Sequence, residues 1–463
     1  MNPILRCLVL FAFATALFAS CRKDRFSDSP ANKLRAGTDT LHFDTVLTTT
    51  GSVSAVVKIF NDNDKGIHVS SIRLGGGASS PFRFNADGSP GPVVSNVDIA
   101  SHDSAYIYVT VTINQTAADL PFIVRDSILV SYNGNTTTIQ LEAFGQNAHF
   151  FRNRVIRTNE TWSNDKPYVI LGGLVVDTNA VLTIAPGAHI YMHADAPLII
   201  NGSLQAAGDR WDSTRIVFTG DRLDVPYRDF PASYQGLFFT ASSRNNLLRY
   251  AIVKNAYQGI VVSEAAPATK LTLQETIIDN AYDAGLTGIN TSISARNLRV
   301  TNCGRNIVLV KGGTYDFTHC TVATISGTFI QHKAPVLVIA NHNEGVTQPL
   351  TALFRNSIFW GEANGIVSDE VVVSRQGTGP FSVTFQSILW RVQTPPAGVA
   401  ATGIINNQDP RFDTVNIARN VYSFRLKDGS PALDKGVNTS VPLDLDGKPR
   451  PVGLPDLGAY EKQ

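Results

Sequence analysis

Charge of neither sign is in excess. The chain carries 39 Lys and Arg against 38 Asp and Glu, a formal net charge of +1 over 463 residues. No basic bias points to a nucleic-acid partner, and no acidic tail points to a solvating role. Met, Lys and Glu are sparse, and after the first segment runs with helical periodicity are hard to find. No Gly-x-Ser-x-Gly elbow and no dinucleotide fingerprint occurs. The conspicuous loop "GGGASS" at 75–80 lacks the Lys-Ser/Thr and the following helix of a phosphate cradle. The "HKAPVLVIANHNEG" stretch, with His332, His342 and Glu344, fits no tight zinc spacing. What is abundant is Gly, Asn, Thr, Val and Ile, in a chain that is 43% hydrophobic and long enough for two or three domains. That is the composition of an all-β protein with many turns.

The amino terminus differs. Arg6 precedes an apolar stretch, Leu8 to Phe18, too short for a comfortable membrane span, and the small residues Ala19 and Ser20 stand before Cys21. This is secretory signal architecture. The run "LFASC" resembles a bacterial lipoprotein signal, which implies cleavage after residue 20 and a lipid anchor on Cys21. The expectation is an exported cell-envelope protein held on a membrane, the outer membrane first among them. Residues 21–38 are polar and read as a flexible tether. Cys7 leaves with the signal, so Cys303 and Cys320 remain. They can pair in an exported chain, but they occupy different repeat positions and read as two core thiols.

From residue 39 to 148 short strands alternate. In "SAYIYVTVTI" Tyr106, Tyr108, Thr110 and Thr112 fall on one face and Ile107, Val109, Val111 and Ile113 on the other. Strands of this kind between turn clusters predict a β-sandwich. The stretches "FDTVLTTTGSVSAVVKIFNDND" and "DSILVSYNGNTTTIQLEAFGQNA" resemble an immunoglobulin-like module of the Hydin-like type, which implies a spacer or interaction module and no catalytic residues. Residues 149–164 read as a linker.

Beyond it "IVKNAYQGIV" (252–261) and "IIDNAYDAGL" (277–286) are near copies. Set in register on Asn255 and Asn280, a third copy falls on Asn302 and a weaker one on Thr324, at spacings of 25, 22 and 22. A period of this size, with strands as the unit, predicts a parallel β-helix over 165–395. Val253, Ile278, Val300 and Val322, with Ala251, Thr276, Leu298 and Cys320, are the inward columns. Asn255, Asn280 and Asn302 are expected to form an asparagine ladder at a left-handed turn. The stretches "LTIAPGAHIYM", "INGSLQAAG" and "TRIVFTGD" resemble the right-handed parallel β-helix of the pectate-lyase-like superfamily. Residues 396–463, with "SPALDKG" and "DLGAYE", resemble the closing segment of exported β-helix proteins and are expected to cap the last coil.

Chemistry is sought in the outward columns. Tyr250, Glu275, Asn297 and His319 form a polar strip with an aromatic, which suits a glycan groove and equally a solvated face. Asp279, and Asp283 below Arg305, are half of a lyase site or a surface ion pair. The inserted loop "GDRLDVPYRDF" (220–230) is a candidate groove wall. In "DLDGKPR" Asp444, Asp446 and Gly447 look like part of a calcium loop, but Arg450 locking the closing segment to an acid is the preferred reading. Three functions stay open: a glycan- or envelope-binding protein without catalysis, a polysaccharide lyase or glycoside hydrolase, and a structural adhesin. No cofactor is expected, and Ca²⁺ enters only with the lyase. Three carboxylates converging with a base in one groove would favour the enzyme.

Overall fold

The computed structural model describes residues 26–48, 51–114, 122–225, 227–264, 268–327, 329–419 and 421–463. The expected signal segment and Cys21 lie outside the described residues. The chain divides into two compact units, Met1–Asn147 and Ala148–Gln463.

Among the described residues the first unit is a β-sandwich of two five-stranded sheets. Alternation places its core: Ile107, Val109 and Val111 are fully buried, whereas Tyr106 and Tyr108 stand on the exposed face. Residues 26–38 are not the free tether expected of a polar run. Leu34 enters the sandwich core and its backbone N–H donates to the Tyr132 hydroxyl at 2.9 Å, while Ser27 N–H donates to the Gly66 carbonyl. One leucine among charges gives no period to read, yet burying it contributes roughly 1.5–3 kcal/mol.

The second unit is a parallel β-helix, a sheet of 23 strands among the described residues, wound as three stacked faces. The first face includes Gly236–Phe239 and Ile260–Ser263, the second Asn246–Arg249 and Leu271–Gln274, and the third Ala251–Lys254, Ile277–Asp279, Arg299–Thr301 and Thr321–Thr324. Val253 pairs with Ile278, Ile278 with Val300 and Val300 with Val322. All four are buried, as are Ala251, Thr276, Leu298 and Cys320, so both inward columns stack as the repeat register predicts. Cys303 and Cys320 are separate buried thiols, and burial pushes the Cys320 thiol up to about 12.

Two expectations about boundaries are corrected. Residues 149–164 are not a linker: His149–Ile156 and Glu160–Trp162 pair in parallel with Tyr168–Val176 and Val181–Ile184, so they form the first coil. Their polar, outward residues are those of an end coil, which mimics a linker in sequence. At the other end, Ala400–Asn406 continues the parallel stack beyond residue 395 and is mostly exposed.

The closing segment packs along the flank of the solenoid instead of across its last coil. Phe412, Phe424, Leu426, Leu445, Leu457 and Tyr460 cover the outward side of the third face, on Ile277, Ala323, Ile325, Ile358 and Leu389. The reason is in the third-face strands themselves. Pairs such as Ile277-Ile278, Ile358-Phe359 and Ile388-Leu389 are apolar on both sides of the sheet, and such strands need cover on both.

Candidate functional site

Between the second and third faces the later coils each turn on one left-handed residue. Tyr250, Glu275, Asn297, His319 and Asn356 have φ of 46°, 45°, 47°, 56° and 48°. This row contains the four residues expected as an outward glycan strip. They are the corner residues of the helix, and the closing segment lies over most of them. Asn297 Nδ2 donates to the Leu443 carbonyl at 2.8 Å. His319 meets Thr439 and Arg450, and both His319 and Asn297 are fully buried. The strip as a continuous groove is therefore corrected. The alternation rule put these positions outside because they lie one or two residues before the strand, and it carries no information about a second layer above them.

The row is open at its early end. There the closing segment, which reaches the coils through the Leu445 carbonyl on Arg215, leaves a cavity of about 710 Å³ bordered by Tyr250 and Glu275, within the usual range for ligand sites. One wall is apolar, made by Val441, Pro442 and Leu443. Opposite stands Trp211, 58% exposed, with the Arg210 guanidinium 4.4 Å from its ring centroid. Arg249 and Arg296 come from coils two apart, with Gln274 of the intervening coil stacked between them. Arg249 has no ion-pair or side-chain hydrogen-bond partner among the described residues. Glu275 is committed: its Oε1 accepts from Arg296 Nε and from Asn297 Nδ2, both at 3.1 Å. The floor is braced by Arg215, which is almost fully buried. It donates to the carbonyls of Glu275 at 3.2 Å and Leu445 at 2.7 Å and lies over the Tyr250 ring. Burial raises the Tyr250 phenol above its ordinary pKa, with the Glu275 charge adding to it. Asp209 is the other carboxylate of this groove. The cavity thus holds three arginines and two carboxylates, one of them neutralised in place. Trp211 and the arginines belong to the stretch "GDRW" and to strand ends, and the exposed tryptophan after a Gly-Asp turn was the signal available for finding it.

The remaining sequence candidates separate. Asp283 Oδ1 pairs with Arg305 Nη2 at 2.5 Å and Asp283 Oδ2 accepts from Gln258 at 2.9 Å, an inter-coil ion pair on the surface. The hydrogen bonds lower the Asp283 pKa against the burial that raises it. Asn255, Asn280 and Asn302 all have left-handed backbones. Asn280 Nδ2 donates to Asn255 Oδ1 at 2.9 Å, one rung of a ladder, but Asn302 Oδ1 accepts from the Ile325 N–H instead. Asp279 Oδ1 takes the Thr301 hydroxyl at 2.5 Å. His332 and His342 part company. His332 pairs with Glu370 at 2.8 Å, and Glu370 with Arg391 at 2.5 Å, in a buried cluster, whereas His342 meets Ser374. Asp444 spends its oxygens on the backbone N–H groups of Asp446, Lys448 and Glu461, so it closes a turn. Among the described residues no group of three or more His, Cys, Asp or Glu could hold a metal ion.

No protein-family model matches the chain, and no curated protein sequence does. Among solved structures it is similar to a family 123 glycoside hydrolase from Clostridium perfringens, studied for glycolipid glycan hydrolysis. The identity is 11% and the TM-score 0.20, over 26% of this chain and 30% of that one. A PapD-like domain of human CEP192 matches at 12% identity and a TM-score of 0.18, over 28% of this chain and 90% of that one. The catalytic unit of a GH87 α-1,3-glucanase from Streptomyces thermodiastaticus matches at 9% identity and a TM-score of 0.20, over 76% and 88%. At these scores none of the three bears on what this chain does.

Proposed function

We propose that this protein binds anionic glycans in the groove of Trp211 without catalysing their cleavage. The observation that carries the reading is the exposed Trp211 indole facing a cavity into which the unpaired Arg249 opens. A flat aromatic offers a stacking surface to the apolar face of a sugar ring, and a guanidinium fork matches a carboxylate or sulfate. The catalytic alternative lacks its parts. Among the described residues only Asp209 and Glu275 supply carboxylates to this groove, and Glu275 is held by two donors. A hydrolase needs two free carboxylates disposed about the scissile bond.

With this reading goes the rest of the envelope assignment: an exported chain, lipid-anchored at Cys21, with an immunoglobulin-type spacer ahead of the solenoid. These parts rest on the signal-like residues 6–21 and on the sandwich sequence.

Titration calorimetry with polygalacturonate and with a neutral glucan tests the proposal. Binding of the acidic polymer alone, lost in Trp211→Ala, is the expected result. Equal heats for the two polymers, or none for either, would overturn it. Ultraviolet absorbance with Ca²⁺ present tests for unsaturated products, whose appearance would make the protein a lyase.

A further inference from the structure

The second row of turns, after the third face, carries a different cavity. Here the inserted loop 220–230 folds over the solenoid. The asparagines hold it: Asn255 Nδ2 donates to the Arg228 carbonyl at 2.7 Å and Asn280 Nδ2 to the Asp229 carbonyl at 3.0 Å. The loop after the third-face strand Thr321–Thr324 comes to meet it, with the Phe230 and Phe329 rings 4.8 Å apart. Beside this contact is a cavity of about 150 Å³. Its chemistry comes from Lys254, Asp279, Asp229 and Tyr422, with Phe329 and Ile330 as its apolar side.

Two of these groups are unspent. The Lys254 ammonium has no hydrogen bond or ion pair among the described residues, its backbone alone being paired in the sheet. The Tyr422 hydroxyl is shielded from solvent and has no hydrogen-bond partner. A shielded hydroxyl without a partner calls for an explanation. Tyr422 belongs to the closing hairpin, where its ring stacks on Phe424, so its position is fixed by the cover and not by the cavity. Asp279 gives one oxygen to Thr301 and keeps the other.

We infer that this cavity is a second ligand site, built for a single uncharged sugar ring. Alternating donors and acceptors around an apolar wall match ring hydroxyls, each of which both gives and takes a hydrogen bond. Lys254 and Tyr422 supply donors, Asp279 and Asp229 acceptors, and Phe329 the wall. A cavity of about 150 Å³, the size that takes a benzene ring, leaves room for a single ring and none for a chain. Asp229 meets Arg228 at 3.7 Å, so the carboxylate set against uronic acids is that of Asp279, whereas the groove at Trp211 is rich in arginine. The site does not depend on that groove, because it shares no residue with it.

Saturation-transfer NMR on the full chain, carrying Trp211→Ala to silence the first groove, tests the inference. The probes are methyl β-D-glucoside, methyl β-D-galactoside and D-galacturonate. At least one neutral glycoside is expected to receive saturation, and galacturonate none. Lys254→Met and Asp279→Asn are each expected to weaken binding at least tenfold, and Tyr422→Phe, which keeps the stacked ring, by a smaller factor. Unchanged melting of Lys254→Met would separate lost contacts from lost fold. Silence of both glycosides, binding that survives Lys254→Met and Asp279→Asn alike, or preferential uptake of galacturonate would each overturn it.

Discussion

His319 accepts a hydrogen bond on Nδ1 from the Arg450 guanidinium, so its proton sits on Nε2 and is given to Thr439 Oγ1 at 2.9 Å. A helix corner is thereby tied to the closing segment by a ring that must stay neutral. Burial, and then the Arg450 charge, hold the His319 pKa down at about 2, against an ordinary value of 6.5. Below pH 6.5 the unfolded chain takes a proton that the folded one refuses. The stability contributed by this group is therefore complete above 6.5 and falls as the pH drops, by about 1.4 kcal/mol per unit. Three acids near Arg450 act in the opposite sense. Burial raises Asp444, Asp456 and Glu461, so acidification through their range favours the folded state. Comparing the wild type with His319→Gln isolates the histidine. The variant is expected to lose less stability between pH 6.5 and 5, a difference near tenfold per pH unit in hydrogen-exchange protection of residues 437–461. Parallel profiles would show that His319 is not held neutral.

Arg450 also faces Glu461 at 3.4 Å, with both side chains almost fully buried. Its guanidinium donates besides to the Asp456 and Gly458 carbonyls. Removing one member of a buried pair costs about 3–5 kcal/mol, because the other is left charged and dry. Arg450→Ala is expected to free the closing segment while the solenoid stays folded, since a solenoid's coils are stabilised by their neighbours. Limited proteolysis reads this directly: cleavage confined to residues beyond 430 is expected, and a fragment pattern identical to wild type would refute it. A lysine at 450 keeps the charge but not the fork and is expected to restore little.

In the Trp211 groove the proposed partner is anionic, so its affinity is expected to fall as salt rises from 0.05 M to 0.5 M. Arg249→Ala is expected to flatten that salt dependence and to weaken binding about tenfold, near 1.4 kcal/mol. Trp211→Ala is expected to abolish binding at every salt concentration, the lowest included. Neither side chain is buried, so melting temperatures are expected to stay close to wild type. An affinity indifferent to salt would remove the arginines from recognition.

Much of the scaffold was legible because the solenoid repeats itself. The spacing of Asn255, Asn280 and Asn302 located the inward columns to the residue, and alternation placed Ile107 and Val109 inside the sandwich. Both signals come from local geometry, which every coil or strand restates. The layer above the third face restates nothing. That Leu443 would sit on Asn297, or Tyr460 on Arg299, depends on contacts separated by 146 and 161 residues. The strip of Tyr250, Glu275, Asn297 and His319 was misjudged for this reason. The doubled aliphatics of Ile277-Ile278 and Ile388-Leu389 were the one local hint of a cover. The larger cavity was not legible, since it forms where the tail meets the turns of several coils; of the smaller one, the sequence offered the loop 220–230 as a groove wall, and Asp229 of that loop lines it.

The proposed lipid anchor is tested at Cys21. Cys21→Ala is expected to move the protein from the membrane fraction to the soluble exported fraction, because the acyl chains supply the membrane affinity. A variant that still sediments with membranes would end the lipoprotein reading.

The asparagines of the second turn row do two jobs, and substitution separates them. Asn255 and Asn280 adopt φ of 65° and 55°, which glycine accepts and alanine resists. Their amides also hold Arg228 and Asp229 of the inserted loop. Asn280→Gly keeps the backbone and loses the amide, which donates to Asp229 and to Asn255, at a cost of about 1 kcal/mol per net hydrogen bond. Asn280→Ala loses the same bonds and adds left-handed strain of roughly 1–2 kcal/mol. Both variants are expected to deprotect the amides of residues 227–230 to hydrogen exchange. Only the alanine variant is expected to deprotect the strand Ile277–Asp279 as well. If the glycine variant left the loop fully protected, the asparagines would serve the turn alone, and the wall of the smaller cavity would be held by Phe230 against Phe329.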